Sequence, residues 1–205
     1  MQLTSILDHF GIAVGALSGV LAARGRRLDL FGVLVLALVT SLGGGSLRDV
    51  IASDTPVNWL RSPPYLYTAC ATAITAFFVC RTWEPPVGLL QIADAFALAF
   101  LTIAGTQKGL TLGFAVMPAI TLGVITGVAG GIIRDVLTGR VPTVFQPETY
   151  LYATAAFVGA LGYCLLLPLV GNPVVMWLGV VLTLVLRLSA LRYRIALPIF
   201  PHHQP

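Results

Sequence analysis

Charged side chains are scarce in this sequence. Asp, Glu, Lys and Arg together make up 10% of the 205 residues, whereas a soluble domain usually contains about 25%. Hydrophobic residues make up 57% of the chain, and the mean hydropathy is +0.91. The shortage of charge excludes a soluble globular protein, and the length leaves no room for a separate soluble domain. The composition therefore predicts an all-α integral membrane protein.

The sequence also lacks the residue sets that enzymes and metalloproteins need. Its three cysteines, Cys70, Cys80 and Cys164, have no metal-ligand spacing and are odd in number. No nucleophile–base set, metal cluster or phosphate-binding loop is visible, so we expect no enzyme activity, no metal and no cofactor. The net charge of +4 comes without a basic patch or stacking motif, which argues against nucleic acid as a partner.

Apolar stretches long enough to cross a bilayer occur seven times. A helix of about 20 apolar residues spans the hydrocarbon layer. The predicted transmembrane helices cover residues 7–23, 29–53, 65–80, 89–106, 110–137, 149–167 and 173–188. Short segments containing Arg, Pro or Gly separate them, and a tail rich in Pro and His follows the last one.

One stretch of the chain occurs twice. Residues 40–50 read TSLGGGSLRDV and residues 126–136 read TGVAGGIIRDV, at an offset of 86 residues. Asp8 and Asp94 match at the same offset, so the first three spans resemble the next three. Because three is odd, two such units in series enter the membrane from opposite sides, which makes an inverted repeat. The predicted units are residues 1–86, residues 87–168, and a seventh helix with a short tail at 169–205.

The distribution of positive charge predicts the orientation. With the N-terminus outside, eight arginines fall on the cytoplasmic side and two basic residues fall outside. This bias favours a multi-pass protein of the cell (inner) membrane with a cytoplasmic C-terminus. The eight are Arg24, Arg26, Arg27, Arg81, Arg140, Arg187, Arg192 and Arg194, and the two are Arg61 and Lys108.

Glycine runs fall inside the second and fifth spans. Each glycine costs a helix interior about 1 kcal/mol relative to alanine, so we predict that both helices are broken there. Unwound backbone at membrane depth is tolerated where it is buried or lines a wet cavity. Two such breaks meeting near the midplane predict a pathway for an ion or small substrate. The candidate pore and gate residues are Thr40, Ser41, Gly43, Gly44, Gly45, Thr126, Gly127, Ala129, Gly130 and Gly131.

Each repeat also places an Arg-Asp pair within a span. A charge at the membrane centre costs roughly 2.5–3.5 kcal/mol on insertion scales. Neighbours on a helix do not face each other, so we expect exchanged pairs, Arg48 with Asp135 and Arg134 with Asp49. These four charges either lock the two repeats together or set the gate and the electric field of a pore, and the two roles are compatible.

Asp8 and Asp94 stand at the starts of the first and fourth spans. A carboxylate is favoured near a helix N-terminus, which is one explanation for both positions. The alternative is that each attracts cations into a vestibule on its side of the membrane.

Seven spans, the duplicated three-span unit and the paired glycine-Arg-Asp stretches resemble a prokaryotic trimeric intracellular cation channel. The resemblance covers essentially the whole chain. It implies a homotrimer with one pore in each protomer, potassium-selective permeation by monovalent cations with sodium as a second candidate ion, and kinked second and fifth helices that form the pore and its gate. Ala129 stands where the first glycine of the second motif would be. The lysine motif that animal members use for inositol lipids is in neither repeat, although membrane lipid remains an expected partner.

Two functions from different classes fit these features. The main hypothesis is a potassium-permeable monovalent cation channel. The alternative is a secondary transporter of glycine or another small amino acid, since inverted repeats with broken helices fit it equally well and the bacterial domain is also grouped under a glycine transporter label. A membrane scaffold is weaker, because it gives the duplicated charges no purpose.

Overall fold

The computed structural model describes residues 2–146 and 150–198. Within these ranges the chain is helical and has no β-strand. The helices are α1 (Gln2–Ala23), α2 (Leu30–Ile51), α3 (Asn58–Arg61), α4 (Pro64–Thr82), α5 (Leu89–Thr111), α6 (Val116–Leu137), α7 (Ala153–Val170) and α8 (Asn172–Tyr193). A single 3-10 turn, Thr143–Phe145, precedes α7.

Six of these helices are long and apolar enough to cross a membrane. They are α1, α2, α5, α6, α7 and α8. The predicted third span corresponds to α4, which has 19 residues but is more polar than the other long helices. The chain is therefore an all-helical, multi-pass membrane protein, and the count of seven spans depends on α4.

Several predicted boundaries differ from the observed ones: the fifth span begins at Val116 as α6 rather than at residue 110, and the seventh continues as α8 to Tyr193 rather than ending at residue 188. A turn was expected near Lys108, but α5 continues to Thr111 and the chain turns at Gly113, whose φ of +85° suits glycine. The sixth span was expected to stop before Pro168, but α7 includes this proline and ends at Val170. The predicted start of that span, residue 149, lies outside the described residues, as does the tail from residue 199.

The predicted helix breaks are wrong. Helix α2 runs without interruption through Gly43–Gly45, and α6 does so through Gly130 and Gly131. None of these glycines has a positive φ, so each adopts an ordinary helical conformation. The propensity cost of glycine is real, but close packing between neighbouring backbones compensates for it.

Small residues let the helices of each repeat approach closely. A Cβ on Gly19 of α1 would lie 2.7 Å from the Cα of Ala37 on α2. The equivalent contact joins α5 to α6, where a Cβ on Gly105 would lie 3.0 Å from the Cα of Gly123. Helices α1 and α5 also pack on each other, as do α2 and α6, so these four helices form the centre of the molecule. Helix α4 covers α1 and α2, α7 covers α6 and α5, and α8 covers α5.

Candidate functional site

Helices α2 and α6 cross at the duplicated glycine motif. A Cβ on Gly44 would overlap the carbonyl oxygen of Thr126, and a Cβ on Gly130 would overlap the carbonyl oxygen of Thr40. Glycine is needed at both positions because the opposite backbone occupies the space of a side chain. The two contacts are reciprocal, so equivalent residues of the two motifs meet at one point.

Two threonines flank this crossing and bond within their own helices. The Thr40 hydroxyl donates to the carbonyl of Leu36 at 2.6 Å, and the Thr126 hydroxyl donates to the carbonyl of Leu122 at 2.6 Å. Such back-bonding satisfies a buried hydroxyl without unwinding the helix. Since neither helix is broken, no freed carbonyls are available as ion ligands, and a pathway here has to rely on side chains and cavities.

The other predicted pore residues lie on different faces of α2 and α6. Gly127 packs against α5, where its Cβ would meet the carbonyl oxygen of Leu98 at 3.0 Å. Gly43 faces the flexible end of Ile133, whereas a Cβ on Gly45 would make only an ordinary contact of 3.8 Å with the Arg48 guanidinium. Ser41 and Ala129 are buried, and the Ser41 hydroxyl donates to the carbonyl of Ala37. Gly131 lies near the Asp94 carboxylate.

The exchanged ion pairs predicted between the repeats are wrong. Arg48 Nε lies 2.8 Å from Oδ1 of Asp49, and Arg134 Nε lies 2.9 Å from Oδ1 of Asp135, so each arginine pairs with the aspartate that follows it. The long arginine side chain folds back along the helix, which lets neighbours meet although their Cβ atoms diverge. All four residues are buried.

The loop after each helix completes the aspartate's hydrogen bonds. Oδ2 of Asp49 accepts from the backbone N–H of Asn58 at 2.7 Å, and Oδ2 of Asp135 accepts from the N–H of Thr143 at 2.8 Å. Both donors stand at the start of a short helical segment, where backbone N–H groups have no partner within the helix. Each Arg-Asp pair therefore fixes the end of its long helix to the returning chain.

Arg134 makes further contacts that Arg48 does not make. Its guanidinium lies 2.6 Å from Oδ1 of Asp94 on α5 and donates to the hydroxyl of Ser18 on α1. In the first repeat Asp8 instead accepts a hydrogen bond of 3.4 Å from the Tyr65 hydroxyl, and no ion pair joins it to Arg48 in the described part of the chain. One end of the four-helix centre is thus tied together by an arginine, and the other end is not.

A cavity of about 580 Å³ opens beside Asp8. Its lining includes Arg48, Asn58 and Lys108. We call it the Asp8 cavity. A narrow extension of about 30 Å³ shares Asp8 and Arg48 with it and reaches Thr126 at the α2–α6 crossing. Polar side chains such as Asp8 and Arg48 in both linings make these spaces suitable for water.

A second cavity, of about 310 Å³, contains Asp94 and lies at the opposite end of α5. Its lining includes Arg134, Asp135, Arg140 and Arg187. We call it the Asp94 cavity. Since the Asp8 cavity includes Lys108 near the end of α5, and Asp94 is near the start of α5, the two cavities lie toward opposite ends of the helix.

Two functional candidates were not found from the sequence. Arg187 was counted as a surface charge of the cytoplasmic side, but it is 1% exposed on α8 and stacks 4.7 Å from the ring of Tyr152. An arginine within a predicted span is expensive in the membrane, so its position was a usable sign of a buried or functional role.

The second candidate is Asp54, which pairs with both Arg61 and Lys108 at 2.6 Å beside the Asp8 cavity. The Lys108 ammonium, with help from Arg61 and against partial burial, lowers the pKa of the Asp54 carboxyl.

Comparison with known protein families gives one match that covers most of the chain. A family model described as "Glycine transporter" matches twice, at residues 5–81 and at residues 91–168. Among named relatives, the UPF0126 membrane protein of Vibrio cholerae is 40% identical over 201 residues, which cover 97% of this chain and 83% of the relative. The UPF0126 inner membrane protein YadS of Escherichia coli K12 is 39% identical, with coverage of 95% and 94%.

Solved structures of similar fold are also found. The TRIC trimeric intracellular cation channel orthologue from Rhodobacter sphaeroides superimposes with a TM-score of 0.88 at 30% identity, covering 95% of this chain and 100% of that one. A structure described for conductance through TRIC cation channels gives a TM-score of 0.87 at 31% identity, with 98% of both chains covered.

Proposed function

Because the chain belongs to the trimeric intracellular cation (TRIC) channel family, we propose that it is a potassium-permeable channel for monovalent cations. Each protomer of a homotrimer has its own pore in this proposal. The similarity to cation channels at 30% and 31% identity favours a channel over a glycine carrier, although the family model bears the transporter description.

The observation that carries the proposal is the pair of charged cavities on either side of the α2–α6 crossing. The Asp8 cavity and its narrow extension lead toward Thr126, and the Asp94 cavity begins at Arg134. The lining of the Asp8 cavity has one carboxylate, Asp8, and that of the Asp94 cavity has two, Asp94 and Asp135, both paired with Arg134. Asp8 is in no ion pair within the described residues, so its carboxylate attracts cations when it is ionised. An ion then passes beside the crossing, where the predicted pore residues Thr40, Ser41 and Thr126 offer oxygen atoms.

The gate in this proposal is the contact between Arg134 and its partners. The guanidinium holds α6 to Asp94 on α5 and to Ser18 on α1, and it is 2% exposed. A buried positive charge in the path repels cations, so conduction requires α6 to shift and the Arg134–Asp94 pair to separate. The open Asp8 end and the closed Asp94 end correspond to a non-conducting state.

The proposed topology follows the charge bias. The N-terminus faces the outside, the C-terminus faces the cytoplasm, and the protein lies in the inner membrane, as the name of the Escherichia coli relative states for that protein. Helix α4 is the third of seven spans in this topology, because 19 helical residues extend about 28 Å. Residues 1–86 and 87–168 form the two oppositely oriented units, supported by the reciprocal contacts of Gly44 and Gly130.

Recordings from purified protein in planar bilayers test the proposal. We expect unitary currents that reverse near the Nernst potential of potassium under a potassium chloride gradient. Uptake of labelled glycine into proteoliposomes, measured on the same preparation, tests the alternative function. Saturable, gradient-driven glycine uptake without unitary current would replace the channel by a carrier.

A further inference from the structure

A third cavity lies where the end of α1, the start of α2 and the end of α4 meet. Its volume is about 220 Å³ and it shares no lining residue with the Asp8 or Asp94 cavities. Arg24, Arg26 and Arg81 line one part of it, and apolar side chains that include Val33 and Phe77 line another. We call it the Arg24 cavity.

The Arg24 cavity has a surplus of positive charge. No ion pair involves its three arginines in the described residues, and no Asp or Glu is part of its lining. The C-terminal ends of α1 and α4 each contribute about half a negative charge and the N-terminal end of α2 about half a positive charge, so the three guanidinium groups leave the cavity clearly positive. The nearby Asp29 carboxylate is used at the start of α2, where it accepts from the N–H of Gly32 at 2.7 Å.

The apolar part of the cavity restricts the kind of anion that fits. Val20 and Val33 belong to a buried hydrophobic cluster, and Phe77 packs against that cluster. A free inorganic anion would contact only the arginines. A ligand with hydrocarbon attached to its anionic group contacts both parts of the lining, and removing the hydrocarbon from water adds to binding.

The second repeat shows that the fold does not require these arginines. Leu110 and Leu112 occupy the positions equivalent to Arg24 and Arg26 at the offset of 86 residues. The equivalent corner of the molecule thus has apolar residues. Positive charge is specific to the corner at the arginine-rich face of the membrane, where the headgroups of anionic lipids lie.

We propose that the Arg24 cavity binds the phosphate of an anionic glycerophospholipid, with an acyl chain along Val33 and Phe77. Guanidinium groups bind phosphate oxygens through paired N–H donors, which makes three arginines a suitable set. The site holds lipid whether or not the protein conducts ions.

Lipid titration of the full-length purified protein tests this site. Native mass spectrometry measures the lipid-bound fraction with phosphatidylglycerol and with phosphatidylcholine of the same chain length. We expect the wild type to bind phosphatidylglycerol about tenfold more tightly than phosphatidylcholine. The triple variant R24Q/R26Q/R81Q should lose this preference, and the single variant R81Q should reduce it. The control variant R27Q/R192Q/R194Q removes three exposed arginines outside the cavity lining, and it should keep the preference for phosphatidylglycerol.

Two results would contradict the proposed lipid site. If the triple cavity variant and the control lose the preference for phosphatidylglycerol equally, the preference comes from the general positive charge of the surface, and the site is overturned. Inorganic phosphate that binds as tightly as the lipid, or displaces it at equal concentration, would overturn the lipid assignment. Each variant is scored only if its size-exclusion profile matches the wild type, and R81Q provides the test if the triple variant fails to fold.

Discussion

Gly44 lies so close to Thr126 that a Cβ on the glycine would overlap the threonine carbonyl oxygen. The reciprocal pair, Gly130 and Thr40, has the same geometry. Both glycines stand in uninterrupted helices, so their function is to let two backbones touch rather than to break a helix.

The first prediction concerns this crossing. Gly44→Ala should destabilise the protein by about 1–3 kcal/mol, because the methyl group forces α2 and α6 apart, and it should abolish potassium current. Gly45→Ala is the matched control for stability, since its Cβ would meet nothing closer than Arg48 at 3.8 Å and alanine favours a helix. Thermal unfolding in detergent compares the stability of the two variants, and bilayer recording measures the current of Gly44→Ala. Equal stability of the two variants would contradict the role of the crossing.

The second prediction ranks the partners of Arg134. Arg134→Gln leaves the buried carboxylates of Asp94 and Asp135 without a cation, so we expect a loss of about 3–5 kcal/mol. Asp94→Asn should cost less, because Arg134 keeps Asp135 as a partner. Thermal unfolding of the two single variants and the double variant gives the coupling energy. A larger loss for Asp94→Asn than for Arg134→Gln would contradict this arrangement.

The same measurement tests the corrected pairing. Arg134 and Asp49 do not pair, so the effects of Arg134→Gln and Asp49→Asn should be additive in the double variant. Arg48 and Asp49 are 2.8 Å apart, and their double variant should show coupling. Strong coupling between Arg134 and Asp49 would restore the exchanged pairing that the sequence suggested.

A third prediction concerns the gate. Asp94→Asn weakens the hold of Arg134 on α5, so the fraction of time that the channel is open should rise. Asp8 lies at the end of the proposed pore that is already open. Asp8→Asn should therefore lower the unitary conductance without lengthening the channel openings. The conductance loss should shrink between low and high potassium chloride concentrations, because salt screens the field of an accessible carboxylate. Single-channel recording separates the two effects, and their reversal would contradict the proposed gate position.

The fourth prediction is a dependence on pH. The pKa of Asp54 is lowered by Lys108 and Arg61, so its ion pairs contribute stability above the unfolded pKa of about 3.9. That contribution is lost as the pH falls through the lower folded pKa. The stability difference between wild type and Asp54→Asn should therefore be constant near neutral pH and decline below about pH 4. Acid unfolding curves of both proteins measure it, and a difference that grows below pH 4 would contradict the ion pairs.

Some parts of the site could be read from the sequence and others could not. The importance of Gly44 and Gly130 was predictable, because the motif is duplicated within apolar spans. Its structural meaning was not, because glycine reduces helix propensity and also permits close packing, and only the neighbouring helix decides between the two. Likewise Arg187 looked like a surface charge until α8 placed it beside Tyr152.

By itself, the sequence determined that the chain is a membrane protein. It also determined the approximate positions of the long helices and the residues that recur in both repeats. Hydropathy and internal similarity are properties of contiguous residues, so they need no knowledge of packing. Tertiary structure alone decided that α2 and α6 are continuous and that Arg134 pairs with Asp94 and Asp135 rather than Asp49. These outcomes depend on how helices distant in the sequence cross, and the angle and separation of a crossing are set by all the side chains and backbones that meet there.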